Sequence, residues 1–441
     1  MKSNLKMQRI KLGDVLEVLT DYHANGAYEK LKGNVELLDE ENYAVMIRTT
    51  NFESNKFSEN LKFITKDAYN FLNKSKVYPG DLIMNKIANA GSIYLMPDLG
   101  RPISLAMNLF LLRINQEKVN PVYVYVYLKI NERYVKEFAN GSVTKTITKA
   151  AVRSLEIAIP SREVQDEIAE LYLAISARID LLENINRTIG EISGAFFKSW
   201  FSDYAPTHRM QQHTDPNRSS ELIDKLFPNQ FESTETEFGD IPKGWQVTKI
   251  IDLLTFKKGV EPGRKNYFDK PDDGLVPFVR VGDLSSRNSN LFVSRDAYKE
   301  FLVKNEDILL STDGNIGIVT YGFEGTISGG IRKVTYLNGS SGPFVAELLK
   351  SRIFQNLLEI NTPAETTIKH AGTALPKIRM PIPTAELIAG FDDAFYPLFE
   401  RTISNKKKVK ILSRLRDVLF PKLLSGEVEL NFQIGLTSSE I

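Results

Sequence analysis

No cysteine occurs in the chain, which excludes disulfide frameworks, thiolate metal sites and thiol catalysis. No run approaches the ~20 apolar residues that a membrane-spanning helix needs. The first residues, MKSNLKMQRIKLGD, lack the apolar core of a secretory leader. With the missing thiols, these features point to the cytoplasm and to no membrane partner. A strong charge of either sign is also missing: 56 Lys and Arg stand against 55 Asp and Glu, a net +1. Bulk charge therefore does not advertise a polyanion, although local basic loops can still bind one. The glycine-rich stretch GNIGIVTYGFEGTISGG has no GK[ST] ending, so it does not read as a phosphate loop. His23, His208, His213 and His370 have no metal-ligand spacing, and no metal site is expected.

What the chain does have is one phrase written twice. YPGDLIMNKIANAGSI (Tyr78 to Ile93) returns as KNEDILLSTDGNIGIV (Lys304 to Val319). Asp81 answers to Asp307, Asn89 to Asn315 and Gly91 to Gly317, at one offset (307 − 81 = 317 − 91 = 226). KLGDVLEV from Lys11 then matches KIIDLLTF from Lys249, Arg48 matches Arg280, and Pro160 matches Pro383. Ile147 is set against Ile368 as the buried anchor of a loop. A repeat of about half of 441 residues is a duplicated domain, not a solenoid. Asp81 and Asp307, each opening a strand, read as structural ties to a turn.

Each half has two parts. Short β-rich runs such as DLIMNKIA, LFLLRI, DILLST and RKVTYL alternate with helical stretches, which reads as an α+β globule with a curved, mostly antiparallel sheet. After Pro160, apolar residues recur at Val164, Ile168, Leu171, Ile175, Ile179, Leu182, Ile185, Ile189, Ile192 and Phe196, in steps of three and four that mark a coiled-coil seam. After Pro383 the same spacing gives Leu387, Phe391, Ala394, Leu398, Thr402, Asn405, Lys408, Leu412, Leu415 and Leu419, polar in its middle turns. Ser161 and Thr384 are placed as N-caps. About forty residues make a rod of roughly 60 Å. The expected layout is a globule (1–160), a long helix (161–203), a connector (204–240), a second globule (241–383), a second long helix (384–425) and a tail (426–441). Two rods with matching seams can pair antiparallel, giving a fused pseudo-dimer with an approximate two-fold axis.

Three stretches carry a family resemblance: SLEIAIPSREVQDEIAELYLAISARIDLLENINRTIGEISGAFFKSWFSDY, LFPNQFESTETEFGDIPKGW and LRDVLFPKLLSGEVEL. With these the chain resembles the specificity subunit of type I restriction-modification systems, over nearly its whole length. The resemblance implies two target-recognition domains, separated by two long antiparallel coiled-coil helices, that read an asymmetric bipartite sequence in double-stranded DNA. It implies a subunit without chemistry of its own. That subunit holds two adenine-N6 methyltransferase subunits, which carry S-adenosylmethionine, and restriction subunits can join the core. No cofactor is expected on this chain. The [DNS]-P-P-[YFW] tetrad of an adenine methyltransferase is missing; the nearest string is DPNR at Asp215 to Arg218. The rival readings are a self-sufficient DNA-cutting or DNA-methylating enzyme, and a coiled-coil scaffold that binds protein only.

Guanine edges and phosphates call for Arg and Lys, and adenine edges for Asn and Gln. The stretch GSVTKTITKAAVR offers Thr144, Lys145, Thr146 and Lys149; its counterpart PAETTIKHAG offers Thr366, Thr367 and Lys369, next to His370. The repeated phrase adds Asn85, Lys86 and Asn89 in one half, and Thr312 and Asn315 in the other; here a turn satisfied by its own side chains is the competing reading. Arg280 and Arg332 complete the candidate DNA set. Ile189, Phe196, Phe197, Trp200, Phe201, Leu412, Leu419 and Phe420 are candidates for the helix pair or for a methyltransferase surface.

Overall fold

The computed structural model describes residues 7–55, 57–141, 143–212, 226–286, 289–337, 342–363 and 369–430. Two compact units emerge, Met1–Arg178 with Leu412–Ile441, and Ile179–Ile411. Their strands lie in the same order in both.

In unit 1, β1 (Gln8–Lys11) and β10 (Glu156–Ile159) form an antiparallel pair. A four-stranded antiparallel sheet has the order β2 (Leu16–Asp21), β9 (Leu109–Ile114), β6 (Leu82–Asn85), β7 (Ile93–Leu95). A second sheet has the order β4 (Phe63–Ile64), β3 (Ala44–Ile47), β8 (Ile103–Leu105), β5 (Lys76–Val77), with β3 and β8 parallel. Unit 2 begins with a hairpin, β11 (Phe231–Ser233) and β12 (Asp240–Pro242). It then repeats the pattern. The pair is β13 (Gln246–Lys249) with β22 (Arg379–Ile382). One sheet runs β14 (Leu254–Lys258), β21 (Ile331–Tyr336), β18 (Ile308–Ser311), β19 (Val319–Thr320). The other runs β16 (Phe292–Ser294), β15 (Leu275–Val279), β20 (Gly325–Ile327), β17 (Leu302–Val303), with β15 and β20 parallel. The fold is thus a duplicated α+β domain. Each copy holds two four-stranded sheets and not the single curved sheet expected.

The repeated phrase is the turn and strand at the heart of each copy. All four residues of β6 and of β18 are buried, which is why each opens with three apolar residues in succession before a polar one. Asp81 opens its strand by accepting from the backbone N–H of Tyr78 (2.7 Å). It also takes both arms of the Arg113 guanidinium (2.8 and 2.6 Å). Asp307 repeats this with the N–H of Lys304 (2.7 Å) and the Lys333 ammonium (2.8 Å). A buried carboxylate stripped of such a partner costs about 3–5 kcal/mol, so these ties fix where the following turn lies.

The first long helix, Arg162–Phe197, continues as one π-helical turn through Ser202. The second spans Ala385–Ser425. Within unit 2 the two run antiparallel: Asn405 Nδ2 donates to Asn186 Oδ1 (3.0 Å), and the Phe196 and Phe395 rings are 5.5 Å apart. Within unit 1, Tyr172 meets Phe420 edge-on at 5.1 Å. The buried seam of the first helix follows Ile168, Tyr172, Ile175, Ile179, Leu182, Ile189, Ser193 and Phe197, with Asn186 half-buried. Ile192 and Phe196 are instead exposed, as is Ala394 on the second helix, where Phe395 is buried. The expected seam of the first helix errs because it admitted only apolar residues, and this helix accepts Ser193 and, through Asn186, a bond to Asn405, which the expected seam of the second helix did include. A buried amide pair in a coiled coil costs stability and disfavours other registers.

Phe197, Trp200 and Phe201 belong to the core of unit 2, among Phe227, Trp245, Phe344, Phe391 and Phe395. Phe420 is fully buried in unit 1. These four are therefore not open to a partner subunit, because the packing of their own units already covers them. Ile189 is buried in the helix pair, and Leu412 and Leu419 are half-buried. Among the described residues no helix is long and apolar enough to cross a membrane.

In each unit a carboxylate on the long helix reaches the N-terminal cap of an earlier helix. Asn120 caps Pro121–Ile130 with its own side chain, and its amide donates to Asp166 (2.7 Å). In unit 2 the corresponding cap is Gly342, so Asp392 itself accepts from the N–H of Phe344 (2.7 Å). A Cβ on Gly342 would lie 2.6 Å from that carboxylate. Burial pushes Asp392 up to about 6, the Phe344 N–H opposing and the neighbouring Asp393 adding to the rise. The folded protein then holds this proton more tightly than the unfolded chain, so stability falls as pH rises from the ordinary 3.8 to about 6. Asp392→Asn should leave the melting temperature of unit 2 little changed at pH 4. At pH 8 it should raise it by about 2–4 °C in scanning calorimetry. An equal shift at both values would contradict the assignment.

Candidate nucleic-acid interface

In unit 1 the chain leaves β6 at Asn85 and turns back to β7. Gly91, at φ +90°, closes that turn by donating to the Asn85 carbonyl (2.9 Å). Against the turn lies the loop that precedes the long helix. The Ala88 N–H donates to Lys145 (3.1 Å), and the Ile147 N–H donates to Lys86 (3.0 Å). The two stretches singled out separately as DNA-contact candidates therefore form one clasped surface.

Unit 2 builds the same clasp. Gly317, at φ +83°, donates to Ser311 (3.0 Å). The Gly314 N–H donates to Lys369 (3.0 Å), and the Ala371 N–H donates to Thr312 (2.7 Å). These bonds set the correspondence: Lys86 with Thr312 (312 − 86 = 226), and Ile147 with Ala371 (371 − 147 = 224). The buried anchor opposite Ile147 is Ala371, so the expected match with Ile368 is displaced by three residues. Thr366, Thr367 and Ile368 lie outside the described residues.

The clasps share a backbone but differ in chemistry. At the end of the β2–β9 ladder Asp21 pairs with Phe110. Lys149 Nζ donates to Asp21 Oδ1 (3.0 Å) and Lys86 Nζ to Oδ2 (3.1 Å). Both ammonium groups lie over the Phe110 ring, Lys86 at 5.4 Å and Lys149 at 6.0 Å from its centre. Burial raises the Asp21 carboxyl, but the two lysines outweigh it and hold the group below its ordinary value. The same place in unit 2 pairs Lys258 with Arg332. The Arg332 Nη1 donates to the Gly329 carbonyl (2.7 Å), and Glu261 accepts from the Gly329 N–H (2.9 Å). Asp313 meets His370 Nδ1 at 3.2 Å. Unit 1 thus has an acid on the strand floor and cations on the loops; unit 2 has cations on the floor, and its loops mix the acids Glu261 and Asp313 with Lys369 and His370.

Asn89, Thr144 and Lys145 are exposed on the first clasp, and Asn315, Lys369 and His370 on the second. Asn89 accepts from Lys136 Nζ (2.7 Å), and Lys369 is paired with Glu359. Thr146 is half-buried in a backbone exchange with Asn140 (2.8 Å each way). Arg280 caps the short helix after it through Asp283, and its neighbour Val281 and Asp313 both border Gly330. Asn85 and Thr312 do not belong with the contact residues. Both are fully buried: Asn85 ends a strand whose residues are all buried, and Thr312 follows one directly and is enclosed between Gly330 and Ala371. Asn85 reaches Glu53 and Tyr94 at 3.4 Å, and Thr312 bonds Gly330. The residues that sequence reasoning missed are Asp21, Phe110, Lys258 and Glu261. Nothing in the spacing flags Asp21, which stands 65 residues from Lys86 and 128 from Lys149.

The family described as Type I restriction modification DNA specificity domain matches residues 4–191 and again 242–419. The chain is 25% identical over 439 residues to the type I restriction enzyme HindI specificity subunit of Haemophilus influenzae, covering 87% of this chain and 94% of that one. It is 26% identical over 338 residues to the MjaIX specificity subunit of Methanocaldococcus jannaschii, covering 71% of each. The crystal structure of a type I restriction-modification S subunit from M. genitalium is similar in fold, with a TM-score of 0.55 at 12% identity over 95% of this chain and 96% of that one.

The burial pattern separates support from surface. Asn85→Ala and Thr312→Ala should each lower stability by about 1–3 kcal/mol, read by thermal or urea unfolding. Lys145→Ala and Lys369→Ala should stay within about 0.5 kcal/mol of the parent. The reverse order would contradict this division.

Proposed function

The chain belongs to the type I restriction-modification DNA specificity family and is a DNA-recognising specificity subunit; we propose that each clasp reads one half of a two-part, asymmetric target in duplex DNA. One observation carries this: two copies of the same backbone clasp stand on floors of opposite charge, Asp21 in one and Lys258 with Arg332 in the other. Homologous surfaces with different chemistry do not select the same bases. The domains 1–160 and 241–383 are the readers, and the rods 161–203 and 384–425 set the number of unread base pairs between the halves. Lys86, Lys145, Lys149, Arg280, Arg332 and Lys369, with Asn89, Thr144, Thr146 and Asn315, supply the contacts to phosphates and base edges.

The mechanism is positional, and the chain carries no chemistry of its own. Two adenine-N6 methyltransferase subunits, bringing S-adenosylmethionine, dock beside the readers and take their target adenines out of the stack. Restriction subunits join the same core, in the cytoplasm. The long helices leave a partner surface: Ile411, Leu415 and Val418 are exposed on one face of the second, and Phe196 on the first.

Co-expression with the methyltransferase subunits, followed by genome-wide mapping of methylated adenines, tests the reading. The motif should have two separated halves of different sequence. Lys145→Ala should blur one half only and Lys369→Ala the other, each by about tenfold in preference. A single contiguous motif, or one variant blurring both halves, would refute it.

A further inference from the structure

The clasp of unit 1 contains a device that unit 2 lacks. A single carboxylate, Asp21, spends one oxygen on each of two lysines that come from the two stretches of the clasp. Its side chain is only 11% exposed, whereas Lys86 and Lys149 keep 30% and 34%. The lysines are open to a ligand; the acid beneath them is not. Phe110 closes the underside of both ammonium groups. In unit 2 the equivalent floor position is Lys258, and the positions of Lys86 and Lys149 hold Thr312 and Thr373 (373 − 149 = 224).

We infer that Asp21 is a positioning residue for DNA reading by unit 1. It fixes two lysine ammonium groups at one spot and cancels one of their two charges. Free lysines sweep a wide volume and attract any phosphate; tethered ones present a fixed geometry. The cancelled charge weakens binding to random duplex, which is almost wholly electrostatic, more than binding to the target, which also draws on base contacts. Asp21 therefore widens the gap between right and wrong DNA without touching either.

The inference rests on the clasp being the reading surface, and its test separates the two. The full chain, co-expressed with its methyltransferase subunits, is measured against target and random duplex across a salt series. Asp21→Asn should bind random duplex about five- to tenfold more tightly at low salt. Its log–log salt slope should be steeper by about one. The methylation motif should blur in the half read by unit 1 and stay sharp in the other half. Asp21→Asn combined with Lys149→Gln should return random-duplex affinity to the parent level but leave the half blurred. If Lys86→Ala and Lys149→Ala leave target binding unchanged, the surface itself is misplaced and the inference falls with it. If those variants weaken binding but Asp21→Asn leaves the target-to-random ratio unaltered, or only lowers the melting temperature, the positioning role alone is refuted. If Asp21→Asn does not fold, Lys149→Gln takes its place: by removing one tethered lysine it should make the slope shallower by about one and blur the same half. No change in either would refute the role.

Discussion

Two hydrogen bonds per unit hold the candidate surface together, and they run between main-chain atoms. Ala88 to Lys145 and Ile147 to Lys86 in unit 1 reappear as Gly314 to Lys369 and Ala371 to Thr312 in unit 2. Backbone bonds make no demand on side-chain identity beyond the glycine that closes each turn. The clasp can therefore be kept while everything projecting from it changes. Behind it stands a buried strand and an aspartate that ties its entry to a cation on the neighbouring strand of the sheet. Scaffold and reading chemistry are written by different atoms of the same residues.

That separation allows the two units to carry opposite charge on the strand floor. Asp21 under Lys86 and Lys149 ties both ammonium groups but offsets only one of their two charges, and the remaining charge stays on partly exposed lysines. Lys258 beside Arg332 is a pair of like charges that would repel if both faced the same space. Arg332 turns to the Gly329 carbonyl, and burial pulls its ionisation below the ordinary value, with Asp313 opposing. Each cluster is locally satisfied in its own way, which is what two independently variable readers require.

The large pattern was legible from the residues. The constant offset between Asp81 and Asp307 exposed the duplication, and both aspartates do tie down turns. Heptad-like spacing located both long helices. The fine assignments failed where burial and polarity part company. Ser193 and Asn186 lie in a seam that an apolar count assigns to Ile192 and Ile185. Asn85 and Thr312 look like surface residues because they are polar, yet one ends a fully buried strand and the other directly follows one. Phe197, Trp200 and Phe201 look like a partner surface because they crowd one stretch, yet Phe344, Phe391 and Trp245 arrive from far along the chain to enclose them. Asp21 could not be read at all, since only the folded chain brings it to its lysines.

The most direct measurement of the central claim is photo-cross-linking of the full chain to its target duplex, with the attached peptides identified by mass spectrometry. Cross-links from one half of the target should fall within residues 86–89 and 143–149, and those from the other half within 313–315 and 369–371. Cross-links concentrated elsewhere, for example around Lys257 and Lys333 on the opposite face of the β14–β21 ladder, would contradict it.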